Sequence, residues 1–312
     1  MDILKLLEGI RFPLLDKLMQ AITFLGEETV FMAVAIILFW CVDKWKGYYI
    51  LSVGFVGTIL NQFLKLLFRV PRPWVRDPSF TVVDSAKSQA TGYSFPSGHT
   101  QNAVGTFGGI AVTTKRRWVR ILMIALCVLV PFSRMYLGAH YPSDVGVALA
   151  MALVLIFAMY PVLRRAKESP KVMYIFLGAM TLIAVAYLLF VELYPFPAEV
   201  RVVDEMTGVS NYDEGLKNAW TLLGALLGLI VAYHVDSRKL HFSEQAPLPG
   251  QICKVVLGLI IIVGIRFLLK KLFGLISDGL YWNALRYFCM VVFAGAIWPR
   301  SFPFWQKVGA KK

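Results

Sequence analysis

Residues 142–163 read PSDVGVALAMALVLIFAMYPVL, a run of 22 residues in which Asp144 carries the only charge. About 20 apolar residues carry a helix across the hydrocarbon core of a bilayer. A helix of this length in water would need a polar face, and past Asp144 this run has none. Outward from it the pattern repeats, giving nine apolar blocks: 29–43, 48–70, 98–114, 118–137, 142–163, 171–194, 217–235, 252–273 and 280–298. Blocks one and three are short, which suits tilted or partly re-entrant segments. In lipid each unpaired backbone group costs several kcal/mol, so the blocks must be helices. Gly105 and Gly109 are four apart, a spacing that lets two such helices approach closely.

Composition agrees. Of 312 residues 58% are hydrophobic and 16% charged, against roughly 25% charged in soluble domains. The expected fold class is an all-α polytopic membrane protein of about nine transmembrane helices, a single membrane domain over 1–312. The net charge of +13 does not point to nucleic acid, because the basic residues sit in short clusters between apolar blocks, where membrane topology puts them. Cys41, Cys127, Cys253 and Cys289 lie in or beside apolar blocks without metal-type spacing and read as small buried residues. The N-terminus carries acidic Asp2 and Glu8 and lacks the basic start and long apolar core of a signal peptide. Residues 1–25 read instead as an amphipathic helix on the membrane surface, or equally as a plain packed helix.

Charge also sets sidedness. The loops after blocks one, three, five and seven, with the C-terminal tail, hold Lys44, Lys46, Lys115, Arg116, Arg117, Arg120, Arg164, Arg165, Lys167, Lys171, Arg238, Lys239, Arg300, Lys307, Lys311 and Lys312. The opposite side holds Glu199, Asp204, Glu205, Asp213 and Glu214. The positive-inside rule makes the first set cytoplasmic, with the N-terminus outside and the C-terminus inside. Trp40, Trp118 and Trp298 then fall near the inner interface, and Trp74, Trp220 and Trp282 near the outer one.

Three segments carry chemistry: Lys65 to Arg72-Pro73, Pro96-Ser97-Gly98-His99, and Ser133-Arg134 followed by His140 and Asp144. The topology, built without them, brings all three to the outer face. A charge inside a membrane block, as at Lys65, is functional by default. Seven helical residues make nearly two turns, placing Lys65 and Arg72 on one face about 10 Å apart along the axis, before Pro71 and Pro73 stop the helix. Arg72 and Arg134 offer donor forks for phosphate oxygens. Ser97 and Gly98 open block three, where free N–H groups suit an anion and Gly98 lets the backbone come close. His140 and Asp144 are four apart at the start of block five, so the carboxylate can hold one imidazole nitrogen and orient the other. That is the logic of a histidine nucleophile, with His99 placed to protonate a leaving oxygen. Ordinary roles suffice elsewhere: Arg69 and Arg76 as headgroup-level charges, Arg266, Lys270, Lys271 and Arg286 as snorkelling chains, and His234 and His241 as solvated loop residues. Eleven fixed residue types, each expected at roughly one position in twenty, do not fall into these spacings by chance.

The segments match K-x6-R-P, P-S-G-H and S-R-x5-H-x3-D, and so resemble the three signature motifs of the type-2 phosphatidic acid phosphatase family, which shares its site with vanadium haloperoxidases. The resemblance covers roughly residues 65–144. It implies that Lys65, Arg72, Ser97, Gly98 and Arg134 bind phosphate, that His140 forms a phosphohistidine supported by Asp144, and that His99 is the general acid. The resemblance, not spacing alone, assigns nucleophile and acid to particular histidines. The expectation is a membrane-embedded phosphatase acting on a lipid phosphate or diphosphate held in the bilayer, with no metal ion and no cofactor. Its catalytic core is expected over about 29–163, as a helix bundle with the active site at its outer end, and accessory helices over about 171–298. Two rivals are a vanadate-dependent oxidase, which nine spans argue against, and a non-catalytic anionic-lipid-binding protein, which would not need His140 and Asp144 together.

Overall fold

The computed structural model describes residues 1–88, 90–203 and 208–310. Asp204, Glu205, Lys311 and Lys312, which enter the charge pattern above, lie outside the described residues. Among the described residues there is no strand, only an isolated bridge between Val203 and Ser210. In chain order the helices are α1 (Asp2–Gly9), α2 (Pro13–Phe24), α3 (Glu28–Ile37), α4 (Lys44–Phe68), α5 (Pro73–Arg76), α6 (Asp84–Ser88), α7 (Gly98–Ala103), α8 (Gly109–Thr113), α9 (Arg117–Tyr136), α10 (Pro142–Glu168), α11 (Pro170–Leu193), α12 (Asn211–Val235), α13 (Leu248–Gly274), α14 (Trp282–Val292) and α15 (Phe302–Trp305).

The polytopic all-α class is found, but the count of nine spans is not confirmed. Among the described residues six helical segments are long and apolar enough to cross a membrane: Lys44–Arg76, Arg117–Tyr136, Pro142–Glu168, Pro170–Leu193, Asn211–Leu240 and Leu248–Gly274. Block one reaches that length only together with α2, as a pair bent by 49°. Block three is divided into α7, a π turn at Val104–Gly108 and α8. Its helical residues, Gly98 to Thr113, span about 24 Å, against a hydrocarbon core of roughly 30 Å. Block nine breaks in the same way, α14 passing into a π turn at Phe293–Ile297.

The chain divides into two compact units. The first comprises Met1–Val34, Tyr49–Tyr160 and Tyr194–Gly215. Its core packs Met19, Tyr136, Leu137 and Ala139 together, with Ala103, Phe107 and Val130 as a second cluster. Gly105 and Gly109 serve close approach as their spacing implied: a Cβ at Gly105 would lie 3.2 Å from Val53, and one at Gly109 would overlap Ile50. The N-terminal segment is two helices rather than one, because Phe12 is extended and Pro13 restarts the helix at its first turn. Leu4 of α1 is buried with Phe80 and Tyr141, while Ile3 and Leu6 are exposed on the other side. The helix is packed and yet presents an apolar outer face.

The second unit comprises Ala35–Tyr48, Pro161–Leu193 and Leu216–Lys312. Gly224 and Gly228 of α12 take the backbone of α14 against them, at Ala284 and Phe288. Lys254 is buried and donates to the carbonyls of Trp40 and Glu244 at 2.8 and 2.9 Å, and Lys44 pairs with Asp236 at 2.7 Å. His234 lies within α12, not in a loop, and shares a 2.8 Å hydrogen bond with the Tyr174 hydroxyl. All four cysteines are free and half-buried rather than fully buried.

Candidate active site

All eight sequence-predicted site residues fall in the first unit. α4 brings Asn61 and Lys65 to the site and then ends at Phe68. Arg69 takes a left-handed conformation at φ 51°. Pro71 disfavours a helical conformation at Val70 and supplies no N–H of its own. This corrects the expectation that Lys65 and Arg72 share one helical face. Arg72 instead sits on extended backbone ahead of α5 and reaches the site from outside α4.

Both cations are anchored on the loop between the first two motifs. Lys65 Nζ donates to the Tyr93 carbonyl at 2.5 Å. Arg72 donates through Nη2 to the Thr91 carbonyl at 2.7 Å, through Nε to that of Gly92 at 3.1 Å, and through Nη1 to that of Ala139 at 3.0 Å. Its Nη1 also lies 2.9 Å from His140 Nε2. Gly92 has φ +64°, a conformation that glycine adopts without strain.

Ser97 caps α7 as expected, its hydroxyl accepting from the Thr100 N–H at 3.4 Å. The Ser97 N–H donates to the Asp144 carbonyl at 3.1 Å, which ties the second motif to the third. Arg134, in the last turn of α9, is 1% exposed. Its Nη1 donates to Thr23 Oγ1 at 3.0 Å. Of the eight site residues, two carry a buried nitrogen with no hydrogen-bond partner among the described residues: Arg134 at Nε and His99 at Nε2. Such groups are costly to bury unpaired and suit an anion between them.

His140 precedes α10 instead of riding on it, since that helix begins at Pro142. The expected contact forms all the same, with His140 Nδ1 3.3 Å from Asp144 Oδ2. That oxygen also accepts from the Tyr141 N–H at 2.9 Å and from Ser94 Oγ at 2.5 Å. Burial first, then the charges of Arg72, Arg134 and Lys65, hold His140 well below the usual imidazole range. It is therefore neutral at pH 7, with a lone pair available.

Lys65, Arg72, Gly98, His99, Arg134 and His140 line one pocket of about 110 Å³. At roughly 30 Å³ per water, that suits a phosphoryl group and not a lipid chain. Ser97 and Asp144 are fully buried behind it. The same pocket is lined by Asn61, Thr91, Gly92, Tyr93, Asn211 and Glu214, which sequence reasoning missed. Asn61 was within reach, lying four residues before Lys65 on the same helical face. Asn211 and Glu214 gave no local signal. No group of three or more His, Cys, Asp or Glu side chains is placed to hold a metal among the described residues.

The family model described as the PAP2 superfamily matches residues 45–168. A second, described as PAP2 superfamily phosphatase, transmembrane extension, matches residues 220–307. The chain is 31% identical to Phosphatidylglycerophosphatase B of Bacillus subtilis over 161 residues, 47% of this chain and 75% of that protein. It is 31% identical to Undecaprenyl-diphosphatase BcrC of the same organism, over 34% of this chain and 52% of that protein. It is 30% identical to the Undecaprenyl-diphosphatase of Sulfolobus acidocaldarius, over 46% of this chain and 68% of that protein. The chain belongs to the PAP2 superfamily, as an integral multi-pass membrane enzyme of the phosphoric ester hydrolase class.

Proposed function

We propose that this protein hydrolyses a lipid phosphate or lipid diphosphate through a phosphohistidine on His140, without a metal ion. The observation that carries the reading is the Asp144–His140–Arg72 line: a carboxylate on one imidazole nitrogen and a guanidinium beside the other. The phosphoryl oxygens dock on Lys65, Arg72, Arg134 and the backbone N–H at Gly98, in the helix start that Ser97 caps, which stabilise charge on the equatorial oxygens. The His140 Nε2 lone pair attacks phosphorus, the bond to the leaving oxygen breaks, and that oxygen takes a proton from His99. The positive charge that develops on the His140 ring is balanced by Asp144. Water then attacks the phosphohistidine, returns a proton to His99 and releases phosphate.

The catalytic core lies within about 29–163, residues 171–298 supply accessory helices, and Asn211 and Glu214 add to the rim of the site. The site opens to the extracytoplasmic side, with the N-terminus outside and the C-terminus in the cytoplasm; the Lys and Arg distribution supports this. The relatives named for phosphatidylglycerophosphate and undecaprenyl diphosphate support a lipid-linked substrate.

Rapid-quench labelling with a radioactive lipid phosphate tests the chemistry. An acid-labile, base-stable phosphoenzyme is expected in excess chelator, sensitive to vanadate and absent from folded His140→Ala. Labelling that needs added magnesium, or that persists without His140, would refute the reading. Cysteines placed at Pro78 and Thr114 test sidedness, the first expected to react with an impermeant thiol reagent outside intact cells and the second not. The reverse pattern would put the site in the cytoplasm.

A further inference from the structure

A second cavity, of about 180 Å³, adjoins the phosphate pocket and shares with it Arg72, Gly92, Tyr93, Asn211 and Glu214. Its far wall is apolar and aromatic, with Trp74, Val75 and Val209. Arg72 and Glu214 are the only charged residues among those lining it. The Glu214 carboxylate is held in place, because its Oε1 accepts from Thr91 Oγ1 at 2.9 Å. Its Oε2 and the side-chain oxygen of Asn211 converge over Gly92, where a Cβ would lie 3.3 and 3.1 Å from them.

We infer that this cavity receives the leaving group, and that Glu214 and Asn211 select a phosphomonoester whose alcohol carries a free hydroxyl over a diphosphate. The inference rests on the phosphatase reading above. With the transferred phosphoryl group in the first pocket, the next atoms of the substrate fall beside Glu214. In a diphosphate those atoms are a second phosphate, which meets a carboxylate of like charge. Arg72 cannot compensate fully. A guanidinium has five N–H donors, and four of Arg72's point to Thr91, Gly92, Ala139 and His140. A glycerol-type headgroup instead offers its free hydroxyl as a donor where the two acceptor oxygens converge, and its carbon face lies against Trp74. Like charge against one ligand and paired acceptors for another is how a site discriminates.

The test compares kcat/KM on dodecyl phosphate, dodecyl diphosphate and phosphatidylglycerophosphate, for the full-length protein in detergent. Only ratios within one preparation are used, since these do not depend on the folded fraction. Glu214→Gln keeps the shape and removes the charge. It should raise the diphosphate-to-dodecyl-phosphate ratio about tenfold or more, as removal of a like charge predicts. It should lower the ratio of phosphatidylglycerophosphate to dodecyl phosphate by about tenfold through the weakened acceptor. Glu214→Asp, which keeps the charge, should hold the diphosphate ratio near that of the parent protein. Ratios unmoved in Glu214→Gln, or moved equally in Glu214→Asp, overturn the inference while leaving the phosphatase reading intact. A parent protein that hydrolyses none of the three substrates overturns that reading, and the inference with it.

Discussion

Arg72 Nη1 lies 2.9 Å from Nε2 of His140, while Nδ1 of the same ring faces Asp144 Oδ2 at 3.3 Å. A guanidinium can only donate, so Nε2 is the acceptor and the ring proton resides on Nδ1, toward Asp144. The nitrogen that faces the pocket therefore carries the lone pair. Arg72 thus selects the tautomer that the proposed mechanism needs, in which its hydrogen bond moves to a phosphoryl oxygen as phosphorus takes that lone pair. Three backbone carbonyls fix the guanidinium in this pose.

Arg72→Lys tests that geometry. An ammonium has no planar fork and cannot serve Thr91, Gly92, Ala139 and His140 together. We expect kcat/KM to fall by about 10²–10³, the scale of losing one preorganised donor, although charge is conserved. Steady-state kinetics on a lipid phosphate would check it, and near-parental activity would show that charge alone matters at this position.

The pH dependence follows from His140. In the proposed mechanism its neutral form attacks, and burial with the neighbouring cations holds its pKa well below the usual imidazole range. A lowered pKa keeps the ring neutral at pH values where a free imidazole is already protonated. The acidic limb of kcat/KM assigned to this group should therefore lie below pH 6.5. In Arg72→Gln one of those cations is gone, so the limb should move to higher pH. A pH–rate profile of both proteins checks the sign, and a shift to lower pH in the variant would contradict it.

Much of the site was legible because its chemistry is written in short spacings. His140 and Asp144 meet as i and i+4, and Ser97 caps the helix that it opens. What failed was continuity. The spacing predicts one helix through Lys65 and Arg72, yet α4 ends at Phe68, ahead of Pro71, and Arg69 is left-handed. Apolar length likewise does not fix the number of spans, since residues 98–113 are apolar but make only about 24 Å of helix. Glu214 could not be found at all. It follows a loop more than 60 residues beyond His140, and only tertiary packing brings it to Thr91.

Ser94 lies outside the three motifs, and its hydroxyl donates to Asp144 Oδ2 at 2.5 Å inside the protein. Its replacement by alanine leaves that oxygen with the Tyr141 N–H and His140. A buried hydrogen bond to a charged group contributes about 1.5–3 kcal/mol. We expect Ser94→Ala to lower kcat by about tenfold or more with little change in KM, since Ser94 does not line the phosphate pocket. Parallel losses in kcat and in phosphate affinity would mean that the pocket itself had shifted.

The last prediction separates the two histidines by leaving group. His99 lines the pocket, and its Nε2 is buried with no partner among the described residues, the placement a proton donor to a substrate oxygen needs. An alkoxide leaving from a lipid monophosphate is strongly basic and requires a proton as its bond to phosphorus breaks. A nitrophenolate is a far weaker base and can depart without one. General acid help of about 10²–10⁴-fold should therefore matter for the first substrate and little for the second. His99→Ala should slow lipid monophosphate hydrolysis severely and spare much of the activity on p-nitrophenyl phosphate. His140→Ala should abolish both, because no phosphoenzyme forms on either. Burst kinetics with the nitrophenyl ester would show whether the His99 variant still reaches the phosphohistidine. Equal losses on both substrates would mean that His99 holds the phosphate rather than protonating the leaving oxygen, and Arg134, with its own unpaired Nε, would then share that task with it.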